Sequence, residues 1–353
     1  MGKVYFWTTA YNAEKTLRRT IDSVLNQTHD DFHYYICDNG STDSTGEILA
    51  DYAAKDKRII PFKNNRNWYF VEDSMPFRNL PFTIGAHDYL CSIDADDEYE
   101  HGFLQKMLDF MNVNNLDVAA CGTRCLNENS IEMSERSFVL QENMIMKNDE
   151  ELADLFPVYY KYFRDFWGKL YKGFCVRDSF VQLGILHIPS FGIPARNALS
   201  AVLRANRVGI LAEPLHWYYI SAQSSSFAYD PRWLEGALRL CKFIRSYLQK
   251  YGDISTANDN YVNTLFFTLI NQITSKLINA DVSLNVKLND LFDILSNTQV
   301  KALLNFDWNE IGIRTKKTDY LQELLCWVIK HSCTSDNVKV KRLIAALLKN
   351  ERA

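Results

Sequence analysis

The sequence predicts an α/β protein with a largely parallel sheet, followed by an all-helical C-terminal module. Three observations predict it. Short apolar runs rich in β-branched and aromatic residues alternate with helical periodicity in the N-terminal third. Three of those runs end in polar clusters: Thr8-Thr9-Ala10-Tyr11-Asn12, Asp38-Asn39-Gly40-Ser41 and Asp94-Ala95-Asp96-Asp97. From Pro231 onward only helical patterns remain.

Residues 4–9 read as a buried first strand, after which Tyr11-Asn12-Ala13 turns into a helix. In residues 16–26, Leu17, Ile21, Val24 and Leu25 recur on one helical face. Residues 32–37 form a second strand, closed by the turn residues Asp38-Asn39-Gly40-Ser41. Thr42 or Asp43 is expected to cap the next helix, which carries Ile48, Leu49 and Tyr52 on one side. Residues 58–62 and 89–93 are the third and fourth strands, 103–111 a helix, and 117–121 a further strand. The stretch 125–230 is mixed and aromatic-rich. Helices are expected over 233–247, 261–277, 288–295, 320–329 and 338–348. The chain thus divides into residues 1–230, with halves 1–125 and 126–230, and a helical module at 231–353.

Composition excludes several classes. The 353 residues are 47% hydrophobic and 23% charged, ordinary for a globular protein, and the net charge of -4 gives no reason to expect a nucleic-acid partner. The eight cysteines form no CxxC pair and mostly sit in apolar runs, which reads as reduced, buried thiols. The first apolar run is too short for a signal peptide and no membrane-length apolar stretch occurs, so a cytoplasmic protein is expected. The basic amphipathic segment 338–348 could lie peripherally on the inner face of a membrane, support a homodimer, or pack on its neighbour.

Asp94, Asp96 and Asp97 stand within four residues at the end of an apolar run. Carboxylates that close repel one another unless a cation intervenes, and oxygen-only ligands suit Mn²⁺ or Mg²⁺. Such sheets bind ligands at the C-terminal ends of their strands. Taken alone, the cluster also reads as a solvated acidic loop.

The surroundings decide between the two. Thr8-Thr9-Ala10-Tyr11-Asn12-Ala13-Glu14, Ile21-Asp22-Ser23-Val24-Leu25-Asn26-Gln27-Thr28, Cys37-Asp38-Asn39-Gly40-Ser41-Thr42-Asp43, Arg78-Asn79 and Asp88-Tyr89 precede the acids in order. Trp167-Gly168-Lys169-Leu170-Tyr171-Lys172, Glu213-Pro214-Leu215, Trp217-Tyr218-Tyr219 and Ser224-Ser225-Ser226 follow. Over residues 3–226 the chain resembles the family 2 glycosyltransferases, which have the GT-A fold. The resemblance implies a nucleotide-sugar donor, a UDP-sugar first, and a glycan, lipid-linked or peptide acceptor. It implies that Thr9 and Tyr11 line the base and ribose pocket and that Asp38 and Asn39 read the base, although many relatives have Asp where Asn39 stands. Arg78 looks like the donor-site arginine, Asp94, Ala95 and Asp96 meet the donor, and Asp94, Asp96 and Asp97 are the metal-ligand candidates. His216 either completes that metal site or is a hydrogen-bonded structural histidine.

The implied reaction is an inverting displacement helped by a carboxylate base. In the family that base usually lies in an acidic pair ahead of a helix, here the one near Ala195, yet residues 189–194 carry no acid. Asp165 and Asp178 flank the Trp167 motif, and Asp165 is the base candidate. An acceptor needing little base help, such as a thiol, is the second explanation. A non-catalytic nucleotide-sugar-binding partner in a glycan-assembly complex is the alternative function. The aromatic stretch 159–167 is either a sugar-stacking groove or core.

Overall fold

The computed structural model describes residues 2–67, 83–176, 192–220, 229–306, 308, 314–332, 342, 344 and 345. Arg78 and Asp178, residues 189–191 and most of the 338–348 segment therefore lie outside the described residues. The chain separates into two compact units, Met1–Ala222 and Gln223–Ala353.

The first unit holds a nine-stranded sheet. Its elements run β1 Val4–Ala10, α1 Leu17–Leu25, β2 His33–Asp38, α2 Thr45–Lys55, β3 Ile59–Lys63, β4 Tyr89–Ser92, β5 Glu98–Tyr99, α3 Phe103–Asn114 and β6 Val118–Asn127. They continue with β7 Met144–Met146, α4 Asp149–Asp154, α5 Phe156–Phe163, β8 Lys169–Lys172, α6 Gly173–Val176, α7 Ile193–Val202 and β9 Val208–Ile220. The strand order is β3-β2-β1-β4-β8-β6-β9-β5, with β7 paired to β9.

β1 to β4 are mutually parallel, as their alternation with helices demands. The second half departs from the largely parallel expectation. β8 runs antiparallel to both β4 and β6, pairing Leu170 with Cys91 near the end of β4. The chain enters β8 through a turn in which Gly168 adopts φ +68°, a conformation open to glycine. That entry places residues 164–168 at the edge where β4 ends, beside the acids.

α1 buries Leu17, Ile21 and Val24, and α3 buries Leu104, Met107 and Leu108, in one core with Phe6, Tyr34 and Ile36 of the sheet. Each such side chain contributes about 1.5–3 kcal/mol by leaving water. α2 starts later than expected. Ser44 occupies the N-cap position, while the Asp43 carboxylate still accepts the Thr45 N–H at 3.0 Å. The aromatic stretch proves to be core: Tyr159, Tyr160, Tyr162, Phe163, Phe166 and Trp167 are all buried. Six of the seven described cysteines are buried free thiols, and Cys326 is exposed.

The second unit is helical throughout its described residues, with helices Trp233–Leu248, Thr256–Asn279, Leu284–Ser296, Thr298–Leu304 and Arg314–Ser332. Two begin ahead of the apolar periodicity because the side chains of Ser255 and Ser283 accept first-turn N–H groups, and the sequence reading missed the short helix Thr298–Leu304, which Asn297 caps in the same way. Among the described residues no helix is long and apolar enough to cross a membrane.

Candidate active site

The acidic turn follows directly from β4. Ile93 donates to Trp7 O at 3.0 Å, continuing the β1 pairing, and the chain then turns, with Asp97 N–H on Asp94 O at 3.2 Å. The turn brings one ligand atom from each of Asp94, Asp96 and Asp97 within 4.8 Å of one another. The three carboxylates differ in surroundings. Asp94 is exposed, Asp96 half-buried and Asp97 wholly enclosed.

Their electrostatics follow. Desolvation first, then the charges of Asp96 and Asp165, push the Asp94 carboxyl up to about 7, against the pull of Lys169. Asp94 still presents an edge to solvent. Burial also raises Asp96, with Arg19 opposing. Asp97 is raised well above the ordinary carboxylate range by burial and by both neighbouring acids. Its Oδ1 accepts the Tyr219 N–H at 3.0 Å, and its Oδ2 lies 3.2 Å from His216 Nε2, off the angle of a hydrogen bond. A buried carboxylate oxygen without a hydrogen-bonded partner, beside two further carboxylates, suits a hard divalent cation.

His216 is fully enclosed, stacked on Trp167 at 4.3 Å, with Nδ1 3.4 Å from Thr123 Oγ1. It stands outside the three-acid cluster, behind Asp97. Burial and then the Lys169 charge hold its imidazole well below its usual range, so it is neutral. Lys169 is buried beneath the site, donates to Trp167 O at 2.6 Å, and is lowered to about 8 by desolvation. Asp165 is half-buried, with Arg164 Nε 3.3 Å from its Oδ2, and its charge acts on both Asp94 and Lys169.

The ends of β1 and β2 adjoin this turn. Asn39 N–H donates to Ala10 O at 2.8 Å, Asn12 N–H to Ser41 Oγ at 3.0 Å, and Thr42 N–H to Asn12 Oδ1 at 2.9 Å, which joins the two loops. Tyr11 is 43% exposed on this rim. Thr9 Oγ1 accepts the Trp7 indole N–H at 3.1 Å. Asp38 is buried, its Oδ1 fixed by Ser41 N–H at 2.8 Å and its Oδ2 3.2 Å from Lys63 Nζ. Asn39 is buried as well; it donates to Asn67 Oδ1 at 3.0 Å and accepts from Asn64 Nδ2 at 2.8 Å.

The structure thus gathers Asp94, Ala95, Asp96, Asp97, His216 and Asp165 at one edge, with Thr9 and Asp38 at the adjoining strand ends and Tyr11 and Asn39 on the loops after them. Sequence reasoning missed Lys169 as a buried charge, the Asn64–Asn67 pair around Asn39, and Arg19. A signal for Lys169 existed: a lysine set between the apolar pairs Trp167-Gly168 and Leu170-Tyr171.

Residues 6–177 match the family model described as Glycosyl transferase family 2. Over 102 residues the chain is 33% identical to UDP-Glc:alpha-D-GlcNAc-diphosphoundecaprenol beta-1,3-glucosyltransferase WfaP of Escherichia coli, covering 29% of this chain and 38% of that protein. Over 214 residues it is 27% identical to the uncharacterized glycosyltransferase EpsJ of Bacillus subtilis, covering 59% of this chain and 58% of that protein. The chain therefore spans less than two thirds of the length of these relatives. Among solved structures, S. aureus TarS 1–349 superposes with a TM-score of 0.57 at 16% identity, covering 99% of this chain and 89% of that one. The same fragment in complex with UDP-GlcNAc gives a TM-score of 0.52 at 15% identity, with the same coverage. The shared fold is GT-A.

Proposed function

Since the chain belongs to glycosyl transferase family 2 through residues 6–177, we propose that it transfers a sugar from a nucleotide-sugar to an acceptor hydroxyl, with inversion at the anomeric carbon. The carrying observation is the convergence of Asp94, Asp96 and Asp97 within 4.8 Å, beside the joined ends of β1 and β2. A uridine diphosphate sugar is our first choice of donor, a reading supported by the UDP-Glc in the name of the E. coli relative. The acceptor is a glycan or a lipid-linked saccharide.

In this reading Asp94 and Asp96 would hold Mn²⁺ or Mg²⁺, with Asp97 as the adjacent candidate ligand. A cation there would neutralise charge on the departing diphosphate. Tyr11 lies against the base, with Asp38 and Asn39 as a preset floor. Asp165 takes the acceptor proton from the β8 side of the turn, its half-buried carboxylate close enough for its charge to act on Asp94. The missing acid at 189–194 is then a relocation of the base, made possible by the antiparallel entry of β8.

Incubation with a panel of UDP-sugars and Mn²⁺, without acceptor, should release UDP slowly and only with the cation present. Asp165→Asn should lower that turnover by roughly 10²–10⁴-fold with UDP affinity unchanged. Tight UDP binding with no release from any sugar would instead support the non-catalytic binding partner.

A further inference from the structure

The carbonyl oxygens of Ala95, Asp96 and Asp97 are all held by one helix. Thr16 Oγ1 donates to Ala95 O at 2.8 Å, Arg19 Nη2 to Asp96 O, and Thr20 Oγ1 to Asp97 O at 2.8 Å. Positions 16, 19 and 20 share one face, since residues three and four apart on a helix stand side by side. Three successive backbone acceptors of the acidic turn are thus drawn toward α1.

Arg19 carries the only charge in this set, and a second set of contacts fixes it. Its guanidinium carbon lies over the Tyr219 ring, 3.5 Å from the centroid, and its Nε is 3.2 Å from Glu98 Oε1. The Tyr219 hydroxyl donates to the same Glu98 oxygen, and the Tyr219 N–H donates to Asp97 Oδ1 at 3.0 Å. A closed circuit results, running Asp96, Arg19, Tyr219, Asp97. It clamps the turn from its backbone side through α1 and from its side-chain side through β9. A guanidinium suits this place because its planar fork can bond in two directions while its face stacks on an aromatic ring.

We propose that the α1 face of Thr16, Arg19 and Thr20, together with Tyr219, is the positioning element of the cation-binding turn. Arg19 is its central member. The inference rests on the functional reading above. It says that the carboxylates of Asp94 and Asp96 gain their mutual geometry from contacts that never touch the ligand. Contacts of this kind beyond a metal's own ligands are typically worth about 10–100-fold in metal affinity.

The test is Mn²⁺ affinity of the full chain, measured by electron paramagnetic resonance without nucleotide-sugar, with melting followed in parallel. Arg19→Met should weaken Mn²⁺ by about tenfold or more, and Arg19→Lys should recover part of the loss by restoring one bond and the charge. Thr20→Val, a near-isosteric change, should move affinity in the same direction and covers the case in which Arg19→Met does not fold. Arg18→Met, one residue away and 3.7 Å from Asp51, should leave affinity unchanged. Wild-type Mn²⁺ affinity in folded Arg19→Met, or in Thr20→Val alone if Arg19→Met does not fold, would overturn the brace. Wild-type affinity in Asp96→Ala would instead overturn the metal site itself, so the two failures are separable.

Discussion

Asp97 and His216 face each other at 3.2 Å with neither side chain reaching water. Burial raises the acid and lowers the base, so the charged form of each is disfavoured behind the two more open carboxylates. The pair ties the acidic turn to β9, since the other Asp97 oxygen already holds the Tyr219 N–H.

This relationship makes stability depend on pH in a definite sense. The unfolded chain protonates His216 near the ordinary histidine value of about 6.5, whereas the native imidazole resists protonation until well below it. Below about 6.5 the unfolded state therefore binds the extra proton, and native stability falls as pH drops. In His216→Phe that contribution disappears. Thermal melts of the two proteins at about pH 7 and about pH 5 should show a shallower acid-side decline in the variant. Parallel declines would show that His216 is not buried and neutral.

Cation affinity should rise with pH. Asp94 holds its proton up to about 7, and a cation must displace it. A single such proton implies about a fivefold gain in Mn²⁺ affinity from about pH 6 to 7 and about twofold from 7 to 8. Calorimetric titration in buffers of different ionisation enthalpy would also reveal the released proton. An affinity flat across this range would contradict the crowding of the three acids.

The Tyr99 hydroxyl joins the two edges of the site. It donates to Ser92 O at 2.6 Å and accepts the Gly168 N–H at 2.9 Å, in a buried position between β4 and the turn before β8. Tyr99→Phe leaves a buried N–H and a carbonyl without their partner, at a cost of about 1–3 kcal/mol. Chemical denaturation should show that loss, and UDP-sugar turnover should fall further than UDP binding, because the Asp165 turn loses its anchor. Unchanged stability would mean that water replaces the hydroxyl.

Gly40 is required by the β2 loop. Its φ of +81° suits glycine, and a Cβ there would stand 2.4 Å from the Arg66 carbonyl carbon. Gly40→Ala should displace the loop carrying Asp38 and Asn39, costing upwards of about 1 kcal/mol and weakening UDP binding more than Mn²⁺ binding. Equal losses for both ligands would place the loop outside the nucleotide site.

Much of this was legible in the chain itself. Apolar runs and helical repeats gave β1 to β4 and α1 to α3 to within a few residues, because both are local patterns. Gly40 and the acids after β4 were equally visible. The antiparallel course of β8 was not, since nothing local to residues 169–172 records which edge of the sheet the chain enters from. That course is what sets Asp165 near Asp94. The long β9 was likewise hidden in the mixed middle region, and with it the partner of Asp97.

By itself the sequence determined the kinds of element, the polar loops at the strand ends and the presence of three close carboxylates, all properties of neighbouring residues. Only the tertiary structure decided that these carboxylates are unequal. Asp97 is enclosed by His216 and Tyr219 from β9, Asp94 lies open beside Asp165, and the backbone of the turn is drawn to Arg19 of α1. The physical reason is that burial and charge are set by groups far apart in the chain, and those meet only when the sheet is assembled.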